Sequence, residues 1–123
     1  MILVDTSVWV DHLRARERTL VHLLETGQVL THPFVIGELA LGNLRQRGAI
    51  LGSLRVLPQA ILAAEHEVLD FIERHRLFGI GIGYVDAHLL AAARLTPATT
   101  LWTRDKRLRA AASKLSLAAD LSS

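Results

Sequence analysis

The sequence predicts a single three-layer α/β domain, with a parallel sheet between helices. Three observations predict it. The chain opens on a continuous apolar run, Ile2-Leu3-Val4, two of whose three residues are β-branched, the pattern of a strand buried on both faces. Short runs of this kind then alternate with segments of helical period to the end of the chain. The chain has 123 residues, half of them apolar, with no low-complexity tract and no internal repeat, so residues 1–123 form one domain with a sizeable core.

Asp5 ends the first strand. Thr6 and Ser7, both good N-caps, lead into a helix on which Val8, Trp9, Val10 and Leu13 recur at helical spacing. After the charged connector Arg14-Ala-Arg-Glu-Arg18, a second helix is predicted over 17–26, with Leu20, Leu23 and Leu24 on one face and Gly27 closing it. Val29 and Leu30 make a second strand. Thr31-His-Pro33 opens a third helix with proline in its first turn, and Glu38 falls on the side of Val35 and Leu39. A short helix over 49–54 and an abbreviated strand at 56–58 come next.

Residues 60–75 read as one long amphipathic helix, with Ile61, Leu62, Val68, Leu69 and Ile72 inside and Glu65, Glu67, Asp70 and Glu73 in solvent. Gly79-Ile-Gly-Ile-Gly83 lacks the GxGxxG spacing, and no Lys-Ser or Lys-Thr pair follows. It reads as a flexible entry into the next helix rather than a phosphate cradle. That helix covers 84–95, with Asp86, Leu89, Leu90 and Ala93 on one face. Residues 96–99 turn, 100–103 form a fourth strand, 106–114 a basic helix, and 115–118 a final edge strand.

The composition narrows the function. With no cysteine, disulfides, thiolate nucleophiles and cysteine-ligated metals are excluded, which suits a cytoplasmic protein. The N-terminal apolar run is broken by Asp5, so no signal peptide is expected, and no run of eighteen apolar residues predicts a membrane span. The formal net charge is +2, and sequestering several acids in a site would leave a more basic exterior, favouring a polyanion.

Four acids take unusual positions. Asp5 and Asp105 end strands, Asp86 lies in the first turn of a helix on its apolar side, and Glu38 is placed on the inner face of another. Both strand ends point to the carboxyl edge of a parallel sheet, where open α/β sheets place their sites. Each acid alone has a plainer role open to it: Asp5 and Asp105 as helix caps, Asp86 on a helix dipole worth about 0.3–1 kcal/mol, Glu38 beside an arginine. Four packed carboxylates repel, however, and bare they would keep one or more protonated. A hard divalent cation removes that problem, and magnesium and manganese take oxygen ligands.

Phosphodiester hydrolysis needs an activated water, charge stabilisation at the phosphoryl group and help for the leaving oxygen. Two metals about 3.5–4 Å apart supply all three. In that scheme Asp5, mid-sheet, is the central ligand, with Asp86 and Asp105 beside it, directly or through water. Glu38 ligates a second ion or orients the attacking water. Thr6, Ser7 and Thr103 put hydroxyls next to these acids, as donors behind the ligands or as phosphate contacts.

The residues also carry a resemblance. The segments I-L-V-D-T-S-V-W with Asp5, F-V-I-G-E-L-A-L-G with Glu38, G-I-G-Y-V-D-A-H-L-L-A-A-A with Asp86 and T-L-W-T-R-D-K-R-L with Thr103 and Asp105 are similar, in order, to those of PIN domains. The chain most resembles the VapC family, small ribonuclease toxins of bacterial toxin–antitoxin pairs. The resemblance spans nearly the whole chain, and no acid is missing. It implies a five-stranded parallel sheet between helices, RNA cleavage dependent on Mg2+ with Mn2+ substituting, a cognate antitoxin as inhibitor, and a homodimer. The rival folds fit less well. A haloacid-dehalogenase-like phosphatase wants a second aspartate where Ser7 stands, and a response-regulator receiver wants an acidic pair and a late lysine that are not evident. An inactive RNA- or protein-binding module of the same fold stays open.

Arg104, Lys106, Arg107 and Arg109 flank Asp105, and Arg14, Arg16 and Arg18 follow the first helix. Either group is placed to rim a carboxylate pocket and hold RNA phosphates, or to be a solvated face. Trp9 and Trp102 read as core. His88 reads as a surface residue or a support for the ligands, and the other histidines show no metal-ligand spacing. For the antitoxin, Leu20, Leu23, Leu24, Leu51, Leu54 and Val56 are the expected docking surface if they are left uncovered, with a basic side chain of the partner reaching the acids. Plain core is the other role open to them.

Overall fold

The computed structural model describes residues 1–121. Strand β1 (Ile2–Val4) leads into helices α1 (Thr6–Arg14) and α2 (Arg18–Glu25), then β2 (Val29–Leu30), α3 (Pro33–Leu41), α4 (Arg47–Arg55), α5 (Glu65–His75), α6 (Tyr84–Leu95), β3 (Thr100–Trp102) and α7 (Lys106–Lys114). The strands pair in parallel in the order β2-β1-β3. Leu3 and Val4 point to opposite faces of β1 and are both fully buried, so helices cover the sheet on both sides. The chain leaves β1 toward β2 on one side and returns to β3 on the other. The carboxyl end of β1 is therefore the point where strand order reverses, the crevice that α/β sheets use for ligands.

Two expected strands shrink to single bridges. The sheet has three strands among the described residues, not five. Residues 56–58 turn instead of extending, and only Gln59 pairs, with Thr31, the Thr31 N–H donating to Pro58 O and the Ala60 N–H to Thr31 O. At the other edge Ala118 bridges Leu101, between the Leu101 N–H bond to Leu117 O and the Ala119 N–H bond to Leu101 O. Both edge segments thus follow the parallel sheet, but too briefly to make ladders.

The long helix expected over 60–75 starts only at Glu65. The residues before it are drawn elsewhere. The Ala60 N–H donates to Thr31, the Ile61 N–H to Thr96 Oγ1, and the Ala64 N–H to the Glu67 side chain, which sets the N-terminus. The short helix begins at Arg47 rather than residue 49, after Gln46 in the left-handed region at φ 51°. Helices α6 and α7 match their expected bounds. No helix of the described residues is long and apolar enough to cross a membrane.

The core gathers Leu3, Val8, Leu20, Leu89, Leu90, Leu101 and Leu108, all almost wholly buried. Leu23, Leu51 and Leu54 join it, so most of the surface expected to dock a partner is core; only Val56 stands out, 83% exposed. His88 is also buried, not on the surface, because Phe34 and Tyr84 pack edge-on against its ring, with His32 beside it. Trp9 is core as expected, and Trp102 is half-buried under the Arg104 guanidinium.

Candidate metal centre

Asp5 emerges from β1 at that crevice. Its N–H completes the ladder by donating to Trp102 O at 2.9 Å, which fixes its Cα at the sheet edge. Its carboxylate is buried and does not cap α1. Instead Ser7 Oγ and Thr103 Oγ1 both donate to Asp5 Oδ2 at 2.7 Å. Thr103 Oγ1 in turn accepts the Asp105 N–H at 3.1 Å, and Ser7 Oγ accepts the Arg104 N–H at 3.0 Å. One hydroxyl relay therefore ties Asp5, at the end of β1, to Asp105, beyond β3.

Asp105 is exposed and caps α7 by accepting the Arg107 and Leu108 N–H groups on Oδ1, each at 2.9 Å. Asp86, half-buried in the first turn of α6, accepts the Gly83 N–H on Oδ2 at 3.0 Å. Glu38 was expected on the inner face of its helix but is exposed. α1 packs on α3 there, and Thr6 Oγ1 donates to Glu38 Oε1 at 2.7 Å. The three hydroxyls singled out in the sequence thus all rest on two of the acids.

The pattern is the same at all four carboxylates. One oxygen is held by the fold, while Asp5 Oδ1, Glu38 Oε2, Asp86 Oδ1 and Asp105 Oδ2 take no hydrogen bond from the described residues. None of the four enters an ion pair among the described residues; those pairs are Arg104 with Asp11 and Arg104 with Glu17. Burial pushes the Asp86 carboxyl above its ordinary range, against the Gly83 hydrogen bond, and the nearby charges of Asp5, Asp105 and Glu38 push the same way. Asp86 therefore feels the other three acids.

A hard cation fits this donor set: all oxygen, negatively charged, no nitrogen or sulfur. Among the described residues no three of these side chains close on one point at ligand distance. Magnesium is bound by one or two carboxylates and keeps several waters, so it does not require three of them to converge.

The cations divide differently from expectation. Arg104 is committed to Asp11, inside α1, and to Glu17, on the connector that follows, two acids with no periodicity or strand end to mark them in the sequence. The Arg109 guanidinium donates to Thr103 O. Lys106 is exposed, and Arg107 lies against Gly81. Arg14 lines a groove of about 720 Å³ that runs from Thr6 and Glu38 past Leu13 to Asn43, Arg45 and Gln46. Nothing in the spacing of residues 42–46 marked them, since they form an exposed loop without periodicity.

Comparison with known proteins places nearly the whole chain in a family. The PIN-domain family model matches residues 2–114. The chain is 49% identical over 118 residues to Ribonuclease VapC32 of Mycobacterium tuberculosis, in strain CDC 1551 / Oshkosh and equally in strain ATCC 25618 / H37Rv, covering 96% of this chain and 95% of the relative. In structure it is similar to FitAcB from Neisseria gonorrhoeae, with a TM-score of 0.59 at 24% identity, over 92% of this chain and 94% of that one.

A charge-removing substitution tests the cost of burying the Asp86 charge beside the other acids. Because the folded-state pKa of Asp86 is raised, its ionised form opposes folding, and that penalty is present above the folded pKa and relieved as pH falls through it. Asp86→Asn keeps an acceptor for the Gly83 N–H. It should raise the melting temperature of metal-free protein at pH 7, with the gain shrinking in acid. Differential scanning calorimetry at pH 7 and pH 4 measures both; a metal-free variant less stable than wild type at pH 7 contradicts a penalty on the ionised Asp86 from burial and neighbouring charge.

Proposed function

The chain belongs to the PIN-domain family, and from that premise we propose that it is a divalent-metal-dependent endoribonuclease, the toxin of a toxin–antitoxin pair. The observation that carries the reading is the set of four carboxylates at the β1 crevice, each with one oxygen fixed and one uncommitted. The matched ribonucleases, aligned over nearly their whole length, support RNA as substrate. Mg2+ is the proposed ion, with Mn2+ substituting, and the cytoplasm the proposed place of action.

Asp5, Glu38, Asp86 and Asp105 are the residues that would hold the ion. The chemistry it supplies when bound is polarisation of the phosphoryl group and acidification of a coordinated water. The rest falls to the chain. The hydroxyls of Ser7 and Thr103 stop Asp5 from rotating, so its second oxygen stays at the crevice. Thr6 does the same for Glu38, whose exposure lets it take a proton from an attacking water at Oε2. Arg14 and Lys106, exposed on either side, hold backbone phosphates.

Chelator should abolish cleavage of a looped RNA, and Asp5→Asn, which keeps shape and hydrogen bonds, should lower kcat by about 100-fold or more. Magnesium at about a hundred times its dissociation constant should add roughly 2.7 kcal/mol to wild-type stability. Cleavage at the wild-type rate by Asp5→Asn, purified free of contaminating ribonuclease, would falsify the site.

Such an enzyme needs an inhibitor, and the antitoxin has a path to the acids. A second groove, of about 390 Å³, is lined by Trp9, Leu13, Leu24, Ile50, Leu54 and Leu57 from α1, α2 and the α4 region. It shares Leu13, Gln46 and Ile50 with the groove that ends at Glu38. An amphipathic helix of the partner lies in the apolar stretch, and its tail brings a basic side chain to the acids. A second copy of the chain covers another face, where Ile61, Leu62, Leu69 and Tyr84 are each about half exposed.

Co-expression with the neighbouring gene should give a complex with two copies of each chain and no ribonuclease activity. Ile50→Glu should release the partner and restore cleavage, while Leu69→Arg should halve the mass by light scattering. A partner still bound to Ile50→Glu places it elsewhere, and an unchanged mass removes the dimer face.

A further inference from the structure

Apart from the Gly83 N–H, the Gly79–Gly83 loop has no part in the function as argued so far, yet it touches Asp86 directly and lies against Arg107, the residue whose N–H Asp105 holds. It needs glycine for conformation: Gly79 and Gly81 sit at φ +72° and +85°. It needs glycine at 81 for space as well. A Cβ there would lie 2.5 Å from Arg107 Nη1, 2.8 Å from Arg107 Cδ and 3.0 Å from Arg107 Cζ. The arginine side chain is therefore laid directly over a bare Cα. At the far end of the loop the Gly83 N–H holds Asp86 Oδ2, and at its own backbone the Arg107 N–H is held by Asp105 Oδ1.

We propose that Arg107 is a positioning residue whose side chain clasps the Gly79–Gly83 loop to the first turn of α7 and so fixes the spacing between Asp86 and Asp105. The proposal rests on the reading of these two acids as metal ligands. The flat guanidinium is suited to lie on exposed peptide, which a lysine ammonium is not, and its stem adds apolar contact. Its charge is not spent on an ion pair, since Arg107 enters neither of the two formed among the described residues. A surface arginine reaching for phosphate would not require a glycine beneath it.

The test compares wild type with Arg107→Ala, Arg107→Lys, Gly81→Ala and the double variant. Two readouts are used: amide hydrogen exchange at Gly83, and Mn2+ affinity by calorimetry. With a clasp, Arg107→Ala speeds Gly83 exchange and weakens Mn2+ binding by about 10-fold, as loss of support behind a ligand does, and leaves KM for RNA within about twofold. Arg107→Lys falls between. Gly81→Ala in wild type carries both backbone strain and the clash with Arg107, whereas in the Arg107→Ala background only strain remains, so its effect there is smaller.

Wild-type exchange and Mn2+ affinity in Arg107→Ala, together with a raised KM for RNA, would make Arg107 a phosphate contact and overturn the clasp. So would an equal effect of Gly81→Ala in both backgrounds. If Gly81→Ala does not fold, the two Arg107 variants decide alone. Hydrogen exchange needs no nuclease activity, so a wild type that cleaves no RNA but shows the exchange pattern refutes the nuclease reading and leaves the clasp standing.

Discussion

The gathering of four carboxylates near one sheet edge, none of them in an ion pair among the described residues, is the constraint on which the rest of this structure depends. A fold that needed only stability would bring arginines to such a cluster or spread the acids apart. This one stabilises them with neutral donors: two hydroxyls on Asp5, one on Glu38, and backbone N–H groups on Asp86 and Asp105. Neutral donors orient a carboxylate without cancelling its charge. At Asp86, the half-buried member, burial first and the charges of Asp5, Asp105 and Glu38 after it raise the pKa. If the proposed cation binds there, it would relieve the charge that neutral donors leave in place, as in binding centres that give up some stability for function.

The same logic explains where the arginines go. Arg104 follows Thr103 directly, yet it turns to Asp11 and Glu17 and stacks near Trp102. That arrangement fastens the α1–α2 connector to the segment after β3 and keeps a permanent cation away from the crevice. Arg109 likewise spends hydrogen-bonding capacity on Thr103 O, behind the relay that holds Asp5. Cations left to solvent, such as Arg14, lie along the groove that leads to the acids, where a polyanionic strand or an inhibitor's tail would run. On the proposed reading substrate and inhibitor would meet the same entrance, and inhibition by occupancy would need no conformational change.

What the sequence made legible is what local chemistry decides. Ile2-Leu3-Val4 could be little other than a buried strand, and Asp5 had to stand at its end. Helices α6 and α7 were readable to the residue because Gly83 and Asp105 start them. The errors fall where tertiary contacts outbid local pattern. Residues 60–64 have helical period, but their N–H groups go to Thr31, Thr96 and Glu67. The edge strands were overestimated because edge pairing depends on a neighbour's backbone, not on composition. Glu38 was read as an inner residue from its spacing; Thr6, thirty-two positions earlier, is what makes its exposed position useful. His32 shows the limit most clearly. It looked ordinary, but it is fully buried, caps α3 through Nδ1, and its pKa is pushed down to about 4, by burial first and by His88 second. No spacing rule announces a buried neutral histidine.

The central claim, proposed above, is that the uncommitted oxygens of the four acids face one cation, which one or two of them would ligate directly and the others through water. The direct measurement is the anomalous scattering of Mn2+ in a crystal of the wild-type protein. The account predicts a peak at the β1 crevice, ligated directly by one or two of Asp5 Oδ1, Glu38 Oε2, Asp86 Oδ1 and Asp105 Oδ2, with waters between it and the others. Manganese bound only on other surfaces, or no peak at millimolar ion, an order-of-magnitude choice for a weak oxygen-ligand site, would contradict it.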